Sequence, residues 1–346
     1  MQKVRGWGCF MNEVRAAFLR FAENECKGSS SLYEYLSKQI ADDEELLQLA
    51  KHGREGQPIP NLFLGAVHYL LLKRSGHMLM EIYENPPEHE DWFPVFKDFC
   101  LAHQNEITVL LKTKLVQTNE VRRCAYLYPV FQHIHEQTGK PLALVEIGTS
   151  AGLQLLADQY AYSYGTDGVF GNPESSLLIH SEWKGENKPP LQKSIPPVAV
   201  RIGMDLNIVD VKDPEEYLWM KALIWPEHKE RMEMFDQAAA LMGTRPVQFF
   251  EGDGTAMLLS AAGRVPDEYT LCIFHTHVAN QMPEEAIGRL LKSVKEIGQK
   301  RDVFHIYNNI EDRDLHLDYT GNGVEDHHKV AETDGHGRWF KWLMGT

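Results

Sequence analysis

Residues 144–153 read LVEIGTSAGL: an apolar run meets Glu146 and then breaks into Gly148, Thr149, Ser150 and Gly152. Small residues there let backbone approach a ligand closely, and N–H groups at a following helix start bind polar or anionic oxygens. The spacing is E-x-G-x-x-x-G, with Ser150 where a G-x-G-x-x-G turn has its middle glycine. Two further apolar runs end in acids. PPVAVRIGMD ends at Asp205, where a carboxylate can accept from ribose hydroxyls, and VQFFEGD ends at Asp253, where one can accept from an adenine amino group. The bland alternative is an ordinary strand-to-helix corner beside polar strand ends. A fourth run, YTLCIFHTH, leads to His275, His277 and Asn280. Histidine there could take a proton from a substrate, with His275 the first choice; a histidine pair on one strand face that bonds only backbone is the alternative.

These residues need a scaffold. Up to about residue 138 the sequence reads as helix after helix, including the almost wholly apolar NLFLGAVHYLLLKR and a segment QTNEVRRCAYLYPVFQHIHEQTGK that starts at a Thr/Asn cap and stops at Gly139. After Pro141 strand-length apolar runs alternate with helical stretches, among them AGLQLLADQYAYSYG after the first strand. That order predicts an α/β fold with a mostly parallel sheet. The expected organisation is an all-α domain over 1–138, capping the site, and a Rossmann-like domain over 139–346, with an insertion near 164–197 and one last strand in RWFKWLM.

The 346 residues are 43% hydrophobic and 24% charged, so a packed core is expected, and the net charge of −14 argues against nucleic acid or an anionic membrane surface as partner. Five cysteines at wide spacings without C-x-x-C fit reduced protein, and no apolar run reaches membrane-spanning length; a cytoplasmic monomer or homodimer acting on a small molecule is expected. No G-x-S-x-G elbow or G-x-x-x-x-G-K-[ST] loop occurs. The His316, His327, His328 and His336 group near Asp312, Asp314, Asp318 and Asp326 has no metal-site spacing, so no metal is expected. Gln117, Asn119, Glu120 and Arg123 could reach a substrate or simply cap a helix; His336 and Arg338 could contact substrate or pack a terminal strand.

EIGTSAG, an acidic second strand and EGD together resemble class I S-adenosylmethionine-dependent methyltransferases over about residues 140–310. The resemblance implies that Glu146, Gly148, Thr149, Ser150 and Gly152 form the methionine-side loop, Asp205 the ribose contact and Asp253 the adenine contact. A nicotinamide-dependent oxidoreductase and a non-catalytic nucleoside- or partner-binding protein remain alternatives. Over almost the whole chain, QTNEVRRCAYLYP, VEIGTSAGLQLLADQYAYSYG, MDLNIVDV, LIWPE and HGRWFKW look like the bacterial family named domain of unknown function 2332, which implies no assigned activity.

Overall fold

The computed structural model describes residues 7–74, 76–85, 92–165 and 168–345. Among the described residues the α-helices α1 (Trp7–Phe21), α2 (Ser31–Asp42), α3 (Glu44–Ala50), α4 (Ile59–Lys73), α5 (Met78–Glu84), α6 (Phe93–Ala102) and α7 (Gln104–Thr113) come first. Their starts follow local chemistry. Ser30 accepts from the Tyr33 N–H at the head of α2, and Asp43 accepts from the Leu46 N–H at the head of α3. The helix α8 (Cys124–Thr138) ends at Gly139, whose φ of +63° is the left-handed stop a glycine supplies. It begins later than the Thr/Asn cap suggested, because Glu120 caps a 3₁₀ turn over Val121–Arg123 instead.

Among the described residues nine strands form one sheet. In chain order the parallel ones are β1 (Leu142–Ile147), β6 (Val198–Asp205), β7 (Gln248–Glu251), β8 (Thr270–His275) and β9 (Val303–Tyr307). They lie in the order β7-β6-β1-β8-β9. Taken by succession this is 3-2-1-4-5, so the order reverses across β1 and β8. Antiparallel β10 (Leu315–Gly321) and β11 (Val324–Thr333) and the last strand β12 (Trp339–Trp342) extend the β9 side. The Asp/His-rich region after residue 311 therefore contributes two further strands; polar residues alternate with apolar ones at the start of β10, whereas Glu325 to Lys329 form a continuous exposed polar run in β11.

Two other expectations differ. The stretch after β1 is a 3₁₀ segment over Leu153–Gln159 followed by β2 (Ala161–Ser163), not a long helix. Tyr160, Tyr162 and Tyr164 are buried at alternate positions and donate their hydroxyls to the carbonyls of Leu153, Ala157 and Ala125. The 164–197 insertion pairs β3 (Val169–Gly171) and β4 (Leu178–His180) with β2, and sends β5 (Glu182–Lys184) to β12 at the sheet edge.

The chain forms two compact units, residues 1–118 with 212–232, and 119–211 with 233–346. Thus 119–138, with α8, belongs to the sheet unit, and α9 (Pro214–Ala222) belongs to the helical one, a boundary that differs from the expected 1–138 and 139–346. Within the helical unit α4 is buried on nearly every face, with Phe63, Leu64 and Val67 in its core. There Glu227 accepts from the Ser31 N–H and hydroxyl, and the His68 ring bonds the Ala222 carbonyl.

Within the sheet unit, one face of the parallel strands (Ala143, Val145, Ile202, Ile273) packs on α11 (Gly254–Ala262) and α12 (Glu284–Gly298). On the other face Phe131 of α8 meets Phe274 edge to face. The helix α10 (Lys229–Leu241) precedes β7. Below the sheet surface Arg201 is held by Asp158 at 2.6 Å and by the Leu155 carbonyl. No described helix is long and apolar enough to cross a membrane.

Candidate active site

Ligands of open α/β sheets bind outside the carboxyl ends of the strands, near the reversal of strand order. That edge carries two groups of polar residues.

The first is the turn after β1. Gly148 and Gly152 both have φ +75°, and Ser150 has φ +50°. Ser150 thus adopts the left-handed conformation that a middle glycine would give, which costs a non-glycine residue strain. The turn is tied to β6: the Asp205 carboxylate accepts from the Ser150 N–H (2.8 Å) and the Asn207 N–H (3.0 Å), and the Gly148 N–H donates to the Met204 carbonyl. Buried Glu146 accepts from the Thr149 hydroxyl at 2.6 Å, and burial pushes its carboxyl well above the usual range. The Asn119 amide donates to the Thr149 carbonyl. The glycines are also needed for packing. A Cβ on Gly148 would lie 2.4 Å from Val278, and one on Gly152 would lie 2.8 Å from Phe249.

Asp253 sits further along the edge. One oxygen accepts from the Thr255 N–H and hydroxyl at the head of α11, and the other pairs with Arg289 at 2.8 Å. Its position is that of a helix cap, and these partners hold its carboxyl below the usual range.

The second group surrounds the ends of β8, β9 and β11. His275 is fully buried; its Nε2 lies 3.2 Å from Nε2 of His305, and its ring stacks with Tyr307. Burial lowers its pKa to about 4. The ring is thus enclosed between His305 and Tyr307, and its Nδ1 has no partner among the described residues. His277 is not on the strand: β8 ends at His275, and His277 has φ +55°. The two histidines therefore do not share a strand face. The His277 N–H donates to the Asn308 side-chain oxygen at 2.7 Å, and its Nδ1 faces the Asn309 amide nitrogen at 3.4 Å. Asn280 is exposed in a short 3₁₀ turn, Ala279–Gln281.

Three residues expected to meet a substrate gather beside His277. Buried Arg123 donates to the Gly335 carbonyl (3.0 Å) and to Thr276. Buried Glu120 faces Nδ1 of His336 at 3.2 Å. Arg338 is spent on Asp334, donating to both its oxygens at 2.9 and 3.0 Å. Gln117 belongs to the helical unit. Sequence reasoning missed Thr276, Asn308 and Asn309; the only signal was a pair of asparagines directly after a buried strand.

The histidines and aspartates of the C-terminal region form separate pairs, His316 with Asp312, His327 with Asp318 and His328 with Asp326. Among the described residues no group of three or more histidine, cysteine or acidic side chains is placed to hold a metal ion. A groove of about 660 Å³ opens at the opposite, amino-terminal edge of the sheet, lined by His133, Lys140, Asp302 and Tyr319 among others. Its Asp302 is bonded by Tyr319 and Asn322, and the strand-reversal rule favours the carboxyl edge.

Comparison with curated proteins gives no match. The family model described as an uncharacterised protein conserved in bacteria, domain of unknown function 2332, matches residues 15–342, and the chain belongs to that family.

Proposed function

We propose that the chain is an S-adenosylmethionine-dependent methyltransferase of Rossmann-like, methyltransferase-type fold acting on a small molecule. One observation carries this reading: five parallel strands in 3-2-1-4-5 order, with the left-handed turn after the first strand bonded to the acid that ends the second. The residues present fit a nucleoside. The Asp205 oxygens accept the Ser150 and Asn207 N–H groups and, as carboxylate oxygens with two lone pairs each, have capacity for a ribose hydroxyl. The Ser150 hydroxyl is buried without a partner among the described residues. Phe249, which is 37% exposed, lies over Gly152 and offers a face to a base. Val278 covers the Gly148 side, so the methionine end has to lie beyond it.

When bound, S-adenosylmethionine supplies an electrophilic methyl group. The chain's own part is to hold the acceptor and its proton. His336 is the candidate base: buried Glu120 beside Nδ1 orients the ring and leaves Nε2 to face a substrate. A non-catalytic nucleoside-binding protein is the second reading, favoured by the enclosure of His275. Calorimetric titration with S-adenosylmethionine and S-adenosylhomocysteine, with NAD(H) and NADP(H) as controls, tests the proposal. Micromolar binding of the first pair alone is expected. Binding of the nicotinamides alone, or of none, would overturn it.

A further inference from the structure

Two buried donors without an acceptor and one buried cation without a counter-ion lie near the ends of β8 and β9, among the described residues. The first is Asn308, which is fully buried. Its side-chain oxygen accepts from the His277 N–H at 2.7 Å and from the Asn309 amide at 3.1 Å. Since a backbone N–H can only donate, the amide orientation is fixed, and Nδ2 is a donor with no partner among the described residues.

The second is His277. The Asn309 amide nitrogen facing its Nδ1 can only donate, so Nδ1 is the acceptor and the ring proton sits on Nε2. That Nε2–H is also buried without a partner among the described residues. Burial and neighbouring Arg123 lower the His277 pKa to about 3, so the ring is neutral at physiological pH and acts as a hydrogen-bond donor, not a base.

The third is Arg123, 8% exposed, which bonds carbonyl and hydroxyl oxygens but forms no ion pair among the described residues. The nearby acids are engaged elsewhere: Glu120 with His336, Asp334 with Arg338, and Glu146 with Thr149. A buried unpaired cation and unmet buried donors are each costly, and they persist where a ligand completes them. His277 and Asn309 both hold left-handed backbone, φ +55° and +63°, as strained residues at functional sites do.

We infer that His277 Nε2–H, Asn308 Nδ2–H and the Arg123 guanidinium form an oxyanion site for the carboxylate of a small-molecule ligand, placed beside the His336–Glu120 pair. The inference deepens the substrate side of the methyl-transfer reading: the acceptor is a small carboxylic acid, held by its carboxylate while His336 faces the group to be modified. The donor count and the unpaired arginine do not depend on the identity of any cofactor.

The test is calorimetric titration of the full chain with malonate, succinate and glutarate, each against its uncharged diamide. At least one dicarboxylate should bind tenfold or more tightly than its diamide. Asn308→Asp, which replaces a donor with an acceptor, and Arg123→Gln should each weaken that binding at least tenfold. Absence of any carboxylate preference, or variants that bind like the wild type, would overturn the inference. Should a variant not fold, the ¹⁵N histidine spectrum of the wild type decides: a His277 proton on Nε2 that shifts on addition of the bound dicarboxylate supports the site, whereas a proton on Nδ1 overturns it. Carboxylate binding without S-adenosylmethionine binding would remove the methyl-transfer reading and leave the site. The converse would remove the site and leave that reading.

Discussion

The two halves of the carboxyl edge are built on opposite terms. At the β1–β6 end the polar groups are largely spent on the fold: Asp205 ties two N–H groups, Glu146 holds Thr149, Asp253 caps α11 and Val278 fills the space over Gly148. At the β8–β9 end Asn308 Nδ2 and His277 Nε2 are buried donors without a partner among the described residues, and buried Arg123 has no ion pair there. A satisfied cluster contributes to stability; an unsatisfied one lowers it and persists where binding is selected. The glycine-rich motif that draws the eye is therefore the better-closed part of the edge.

Substitutions should separate the two ends. The largest effect concerns two buried arginines. Arg201→Met leaves Asp158 buried and unpaired and should cost about 3–5 kcal/mol in urea unfolding. Arg123→Met strands no carboxylate and should cost less, about 1–3 kcal/mol for the carbonyls it leaves. Equal costs would erase the distinction. Next, Gly148→Val should lose about 2–5 kcal/mol, combining left-handed strain with overpacking against Val278. Pairing it with Val278→Ala should recover part of the loss.

Asp205→Ala should cost about 1–3 kcal/mol by orphaning the Ser150 and Asn207 N–H groups. An unchanged urea midpoint would show that Asp205 is free for a ligand alone. The smallest effect is one of pH. His275 titrates near 4 when folded and near its ordinary 6.5 when unfolded, so below 6.5 only the unfolded chain takes the proton. Its contribution to stability is full above 6.5 and falls as the pH drops towards 4. Between pH 7.5 and 5.5, His275→Gln should lose about 1.4 kcal/mol less than the wild type. Glu146, whose folded pKa is raised, acts in the opposite sense and is common to both proteins.

The strands β1, β6, β7 and β8 were legible because each is an apolar run bounded by turn residues, and α4 because it is apolar almost throughout. β10 and β11 were not, since β10 buries His316 and Asp318 among its apolar residues and β11 opens with a run of charged and histidine residues that face solvent. Tyr160, Tyr162 and Tyr164 carried a period of two that the leucines before them concealed. Glu120, Arg123, His277 and His336 could be nominated by type, but their convergence depends on β11 returning beside β10, a long-range pairing that no local pattern encodes. Asn308 and Asn309 were passed over because two asparagines after a strand also read as a turn.

Diffraction from crystals grown with S-adenosylhomocysteine and malonate would test the central claim most directly. The expected result is nucleoside density beside Asp205 and Phe249, and a carboxylate within hydrogen-bonding distance of Asn308 Nδ2 and His277 Nε2. An edge that holds neither molecule, or a nucleoside bound elsewhere on the chain, would contradict the account.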